Sequence, residues 1–228
     1  MLRDLLVRIP QGDDIASVTL TVAPGNVVFV QGPSGSGKSL LLRTVAGFEP
    51  ICTGGRAGTV TFAGCTQKQW GIPAWRTRVS YVSQSRPTIT GTPRELFAAA
   101  AELAAQRPRA RSPGLAFGDD AHLVDVVARL GLDPAVVLDQ QWASLSGGEA
   151  HRALLAVHVA ARPAVLLLDE PTAACDAVSA AAVEAVLRGC GAALLWVSHD
   201  PEQPGRMGGD VFQFPGPSPS GAEERQGQ

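Results

Sequence analysis

The residues Gly32-Pro33-Ser34-Gly35-Ser36-Gly37-Lys38-Ser39 set glycines, a lysine and a hydroxyl at the spacing G-x-x-x-x-G-K-S. Glycines at these intervals let successive backbone N–H groups converge on one anion, because no Cβ blocks the approach. A helix starting at the lysine adds the partial positive charge of its N-terminus. Lys38 would reach the outer phosphates of a nucleoside triphosphate, and the Ser39 hydroxyl would ligate Mg²⁺. The alternative is a Gly/Ser turn with an incidental lysine. The apolar run before this loop and the helical pattern after it weigh against that alternative.

Two further clusters extend the chemistry. Leu166-Leu167-Leu168-Asp169-Glu170 ends an apolar run in adjacent carboxylates. At the carboxyl end of a strand in an open α/β sheet, where ligands bind, Asp169 would hold the Mg²⁺ shell and Glu170 would polarise an attacking water. Leu145-Ser146-Gly147-Gly148-Glu149 reads first as a capping box, Ser146 with Glu149 three residues on, opening the helix AHRALLAVHVAAR. A cap needs no paired glycines, which lower helix propensity. Their use would be a bare helix N-terminus that phosphate can approach closely.

These clusters need elements to hold them. NVVFV, residues 26–30, predicts a buried strand before the glycine loop, and SLLLRTVAGF predicts a helix after it, ending at Gly47. TVTF predicts an antiparallel edge strand, and VSYV, residues 79–82, another strand. From Thr92 to about Gln140 the chain is Ala-rich and helical, interrupted by a Pro/Gly/Arg linker. Strands return in AVLLLDE and AALLWVSHD. The expectation is an α/β fold with a mostly parallel core sheet, antiparallel edge strands and an inserted helical subdomain at about 85–144. Residues 1–214 would form the domain, with 215–228 a disordered tail.

Composition narrows the functions. The chain has 228 residues, a formal net charge of −2 and no basic block, which argues against nucleic acid as a partner. Arg107, Arg109 and Arg111 read as a solvated loop. Cys52, Cys65, Cys175 and Cys190 lie far apart without a C-x-x-C pair, as expected of reduced thiols in a cytosolic protein. No apolar run approaches the ~20 residues of a membrane span, and the N-terminus lacks a signal-peptide pattern. Any action at a membrane would run through a partner.

In order along the chain, the phosphate loop, Gln84 after its strand, LSGGE, LLLDE with Pro171-Thr172, Ala174-Cys175-Asp176 and Ser198-His199-Asp200 resemble an ABC-type ATPase cassette. The resemblance spans residues 1 to about 214. Within that family the chain looks most like stand-alone ATPase subunits of iron-homeostasis or metal-tolerance systems. The resemblance implies a P-loop NTPase fold and a head-to-tail dimer of this chain with itself or a related ATPase subunit. Two ATP molecules with Mg²⁺ would be sandwiched there, each between one subunit's phosphate loop and the other's LSGGE. It implies that Gln84 senses Mg²⁺ and the γ-phosphate, that His199 contacts the γ-phosphate, and that Asp176 lies at the subunit interface. It implies an integral-membrane permease as partner and a peripheral, cytoplasmic place on the inner face of the cell membrane. His122, His151 and His158 match no motif and read as packing or surface residues.

The chain departs from the family pattern in places. LSGGE stands for the commoner LSGGQ, GKSL for GKST, and AACD for SALD, which loses a serine beside Asp176. No aromatic residue precedes Phe29, where the family stacks adenine on one; Arg8 or Ile9 would have to hold the base. Two rivals stand beside a transporter ATPase. A soluble single-cassette ATPase of cofactor or metal-cluster assembly shares all the motifs. A P-loop kinase for a small molecule leaves LSGGE and His199 unexplained.

Overall fold

Two kinds of sheet divide the chain in its computed structural model, which describes residues 5–10, 17–50, 52–53, 56–57, 59–106 and 117–214. The strands are β1 (Leu5–Pro10), β2 (Ser17–Val22), β3 (Val27–Gln31), β4 (Cys52–Thr53), β5 (Arg56–Ala57), β6 (Thr59–Phe62), β7 (Cys65–Thr66), β8 (Val79–Val82), β9 (Val165–Asp169), β10 (Ala193–Val197) and β11 (Asp210–Gln213). The helices are α1 (Lys38–Val45), α2 (Gln67–Trp70), α3 (Ile72–Arg76), α4 (Pro93–Glu102), α5 (Asp120–Arg129), α6 (Pro134–Val137), α7 (Gly147–Ala160), α8 (Ala177–Gly189) and α9 (Gln203–Met207).

The core sheet has the order β11-β3-β10-β9-β8, and every pairing in it is parallel. Its central strands are apolar up to their carboxyl ends at Gln31 and Asp169 because both faces are covered. Leu166, Leu168, Leu194 and Trp196 face one core, with α5, α7 and α8, while Val165, Leu167, Leu195 and Val197 face another, with α1. The antiparallel strands form sheets of their own, β2-β1-β6-β7 and the pair β4-β5, rather than edges of the core sheet. Val18, Leu20 and Val22 of β2 and Val60 and Phe62 of β6 alternate inward onto the α1 side of the core sheet. That face accounts for the alternating pattern of TVTF.

Between β8 and β9 the chain builds helices around Leu123, Val126, Val127, Val137, Leu138 and Trp142, which pack against α7. Their starts are capped by side chains: Thr92 with Glu95 at α4, Asp119 at α5 and Asp133 at α6. The expected linker with Arg107, Arg109 and Arg111, the expected tail at 215–228 and the side chains of Arg8 and Ile9 lie outside the described residues. Among the described residues Cys65, Cys175 and Cys190 are free thiols, and no helix is long and apolar enough to cross a membrane.

Candidate functional site

The carboxyl ends of β3, β8, β9 and β10 lie side by side, and each runs directly into one predicted cluster. Beyond β3, residues 32–37 turn back on themselves, with Gly35 and Gly37 at φ +72° and +101°. Gly37 caps α1 through its backbone alone, with no side chain on the helix's first N–H groups. Those groups are free to receive an anion. At Gly32 the reason for glycine is steric: a Cβ would stand 2.7 Å from the carbonyl oxygen of Phe214, which follows β11. Lys38 is buried, and its Nζ donates to the carbonyls of Gly32 (2.9 Å) and Pro33 (2.7 Å). The ammonium thus folds over the loop that it would share with phosphate. The Ser36 hydroxyl is buried there without a hydrogen-bond partner, a vacancy in pairing that a phosphate oxygen would fill.

At the end of β9, Asp169 is buried between two hydroxyls. Ser39 Oγ donates to its Oδ1 at 3.0 Å and Tyr81 Oη to its Oδ2 at 3.0 Å. Burial, and then the adjacent Asp169 carboxylate, push the Tyr81 phenol well above its ordinary value, so Tyr81 remains a donor. Glu170 is next, at φ +51°, a left-handed conformation that costs a residue with a side chain about 1–2 kcal/mol. Its N–H donates to the Val197 carbonyl at 3.0 Å, which ties the strained turn to β10. Gln84 Nε2 donates to Glu170 Oε2 at 3.1 Å, and His199 Nε2 lies 3.1 Å from Oε1. Three residues separated widely in sequence thus meet at one carboxylate.

The LSGGE segment sits elsewhere. Ser146 Oγ accepts from the Glu149 N–H at 3.3 Å and Glu149 Oε2 accepts from the Ser146 N–H at 2.9 Å, a complete capping box opening α7. Hydrogen bonds from the Ser146 hydroxyl and backbone amide hold Glu149 below the usual carboxylate range. A Cβ on Gly147 would meet nothing and one on Gly148 only ordinary contacts at 3.5 Å, so the chain itself does not require either glycine. Leu145 is buried beneath the turn. Asp176 caps α8, accepting from the Ser179 N–H at 2.8 Å, and that bond lowers its pKa. Arg152 of α7 donates to Ser179 Oγ at 3.2 Å, which joins the two helix starts.

Sequence reasoning placed Ser36 in the phosphate loop but passed over Tyr81 and Arg86. Tyr81 had one signal, a lone phenol near the end of an apolar strand that leads to Gln84. Arg86 had none, since its partners are backbone carbonyls.

The residues fit MgATP. Phosphate oxygens would find the α1 N-terminus, Lys38 and the unpaired Ser36 hydroxyl. No cluster of three or more His, Cys, Asp or Glu side chains that could hold a metal occurs among the described residues. Mg²⁺ needs no such cage, because it keeps waters and takes substrate phosphates beside one or two protein oxygens. Ser39 and Asp169, 3.0 Å apart, would be such a pair.

Comparison with known proteins agrees with this geometry. Residues 15–173 match the family described as ABC transporter. The chain is 36% identical over 200 residues to the zinc import ATP-binding protein ZnuC of Cereibacter sphaeroides, covering 86% of this chain and 70% of that one. It is 35% identical over 164 residues to an Fe(3+) ions import ATP-binding protein, FbpC 3, of Rhodococcus jostii, covering 72% of this chain and 43% of that one. A solved bacterial Atm1-family ABC exporter with ATP bound shares the fold, with TM-score 0.72 and 18% identity over 94% of this chain and 37% of that one. The chain belongs to the ABC transporter family as an ATP-binding, ATP-hydrolysing component.

Proposed function

We propose that this chain powers a metal-ion transporter as a head-to-tail dimer, docked on a separate integral-membrane permease at the cytoplasmic face of the membrane. The observation that carries the reading is the meeting of Gln84, His199 and Glu170 at the mouth of the phosphate loop. Metal as cargo is supported by the zinc and Fe(3+) import relatives. In this reading Lys38 and the loop amides bind the ATP phosphates, and Ser39 and Asp169 hold Mg²⁺ with Tyr81 fixing the carboxylate. Bound Mg²⁺ neutralises charge on the phosphates. Glu170 accepts a proton from the attacking water, His199 orients toward the γ-phosphate, and Gln84 reports its presence. Ser146 with Gly147, Gly148 and Glu149 completes the partner subunit's site, and Asp176 lies beside them at the interface.

The permease would meet the cleft of about 560 Å³ between α3 and α4, lined by Pro73, Arg76, Leu96, Ala100 and Leu103. The segment 85–92 leaves Gln84 and enters α4, whose Leu96 and Ala100 line that cleft. Cysteines at Thr88 or Thr90, both exposed, should cross-link to a multi-span protein in native membranes, with a yield that changes when ATP is added. Capture of only soluble proteins at both positions would favour the assembly-factor ATPase instead.

A further inference from the structure

The loop from Gln84 to Thr92 is fastened to the segment before Ser146 at two points. Arg86, two residues past Gln84, donates through Nη2 to the carbonyls of Leu145 (2.6 Å), Ala143 (3.2 Å) and Trp142 (3.3 Å). Gly91, near the loop's far end, accepts from the Trp142 N–H at 3.0 Å. Residues Trp142–Ser144 form a single 3₁₀ turn. The carbonyls closing so short a turn lack backbone donors of their own. A guanidinium suits such a nest, since it carries only donors, spread in a plane, and keeps its charge. Trp142 and Leu145 are themselves buried in the core beneath α7. The carbonyl that Arg86 holds most closely, that of Leu145, is one peptide unit from Ser146.

We infer that Arg86 is a positioning residue for LSGGE: it sets the Ser146 turn from the same loop that carries Gln84. A change at Gln84 is then passed to Ser146 through one side chain and one backbone bond. Because Ser146 serves the opposite subunit's ATP, Arg86 acts on the neighbouring site rather than its own. The inference rests on the head-to-tail dimer proposed above.

Mixed dimers of the full chain separate the two ideas. Lys38→Ala cannot hold ATP but presents an intact LSGGE; Ser146→Arg holds ATP but presents a broken one. Their mixture has one working site per heterodimer, read as ATP turnover with Mg²⁺. Arg86→Ala on the Lys38→Ala chain should lower turnover by about tenfold to a hundredfold, whereas on the Ser146→Arg chain it should change it by less than about threefold. Arg86→Lys on the Lys38→Ala chain should restore part of the loss, since an ammonium still donates to the Leu145 carbonyl. Arg86→Gln supplies the same comparison if the alanine variant does not fold. Equal losses from either chain, or no loss from either, would overturn the inference while leaving the dimer intact. A reference mixture with no turnover, from variants that fold and dimerise, would refute the head-to-tail arrangement and the inference with it.

Discussion

Glu170, the proposed catalytic base, holds a strained backbone. Its φ of +51° suits glycine better than any residue with a Cβ. Glu170→Gly should therefore be more stable than Glu170→Ala by about 1 kcal/mol in denaturant unfolding, although both lose the carboxylate. Equal stability would mean that the turn relaxes when the side chain is shortened. Asp169, Glu170, Lys38 and Ser39 were legible as candidates in the sequence because their spacing suits the proposed chemistry. The strain at Glu170, the phenol of Tyr81 on Asp169 and the unpaired Ser36 hydroxyl were not. Each depends on how β8, β9 and the phosphate loop sit beside one another, and no local pattern records that.

At the scale of elements, Ser146 serves two ends. It caps α7 within its own chain, and in the proposed dimer it faces the other subunit's γ-phosphate. Aspartate is as good a cap as serine, but its charge would oppose phosphate. Ser146→Asp should thus keep the unfolding free energy within about 1 kcal/mol of the original while turnover falls steeply. A large loss of stability with turnover preserved would show that the hydroxyl acts only as a cap. The capping box was readable from Ser146 and Glu149 alone, since a cap is local. The joining of Arg86 to the turn before α7 was not, because carbonyl acceptors leave no mark on residue type.

Helix α7 also carries a partly buried histidine, His158. His158 Nδ1 and Ser80 Oγ of β8 share a hydrogen bond at 2.6 Å, and burial lowers the His158 pKa to about 4. The ordinary value, 6.5, applies once the chain unfolds, so between these values the unfolded chain binds more protons. The stability linked to His158 is complete above pH 6.5 and is lost as pH falls toward 4, up to about 3 kcal/mol. Burial lowers His151 in the same direction. Unfolding measured across this window should show a shallower acid limb for His158→Gln than for the original chain. Identical slopes would remove His158 from the acid response.

For the whole molecule, the parallel core sheet was legible because strands covered on both faces are apolar throughout, and Val165–Val197 carries that signature twice. The separate antiparallel sheet was less so: TVTF announced a strand, but only the packing of β2 and β6 over α1 shows that it belongs to a second layer. The strand order brings Gln84, Glu170 and His199 together from three strand ends, yet it leaves Ser146 and Glu149 bonded to each other on α7. In the proposed dimer one chain would hold halves of two different sites, and closure between copies is the central claim. Glu170→Gln tests it most directly, by turnover and by size on a column with ATP and Mg²⁺. ATP binding should persist, hydrolysis should slow by about a hundredfold or more, and the protein should elute as an ATP-dependent dimer. Hydrolysis at the original rate, with no ATP-dependent change in size, would contradict the account.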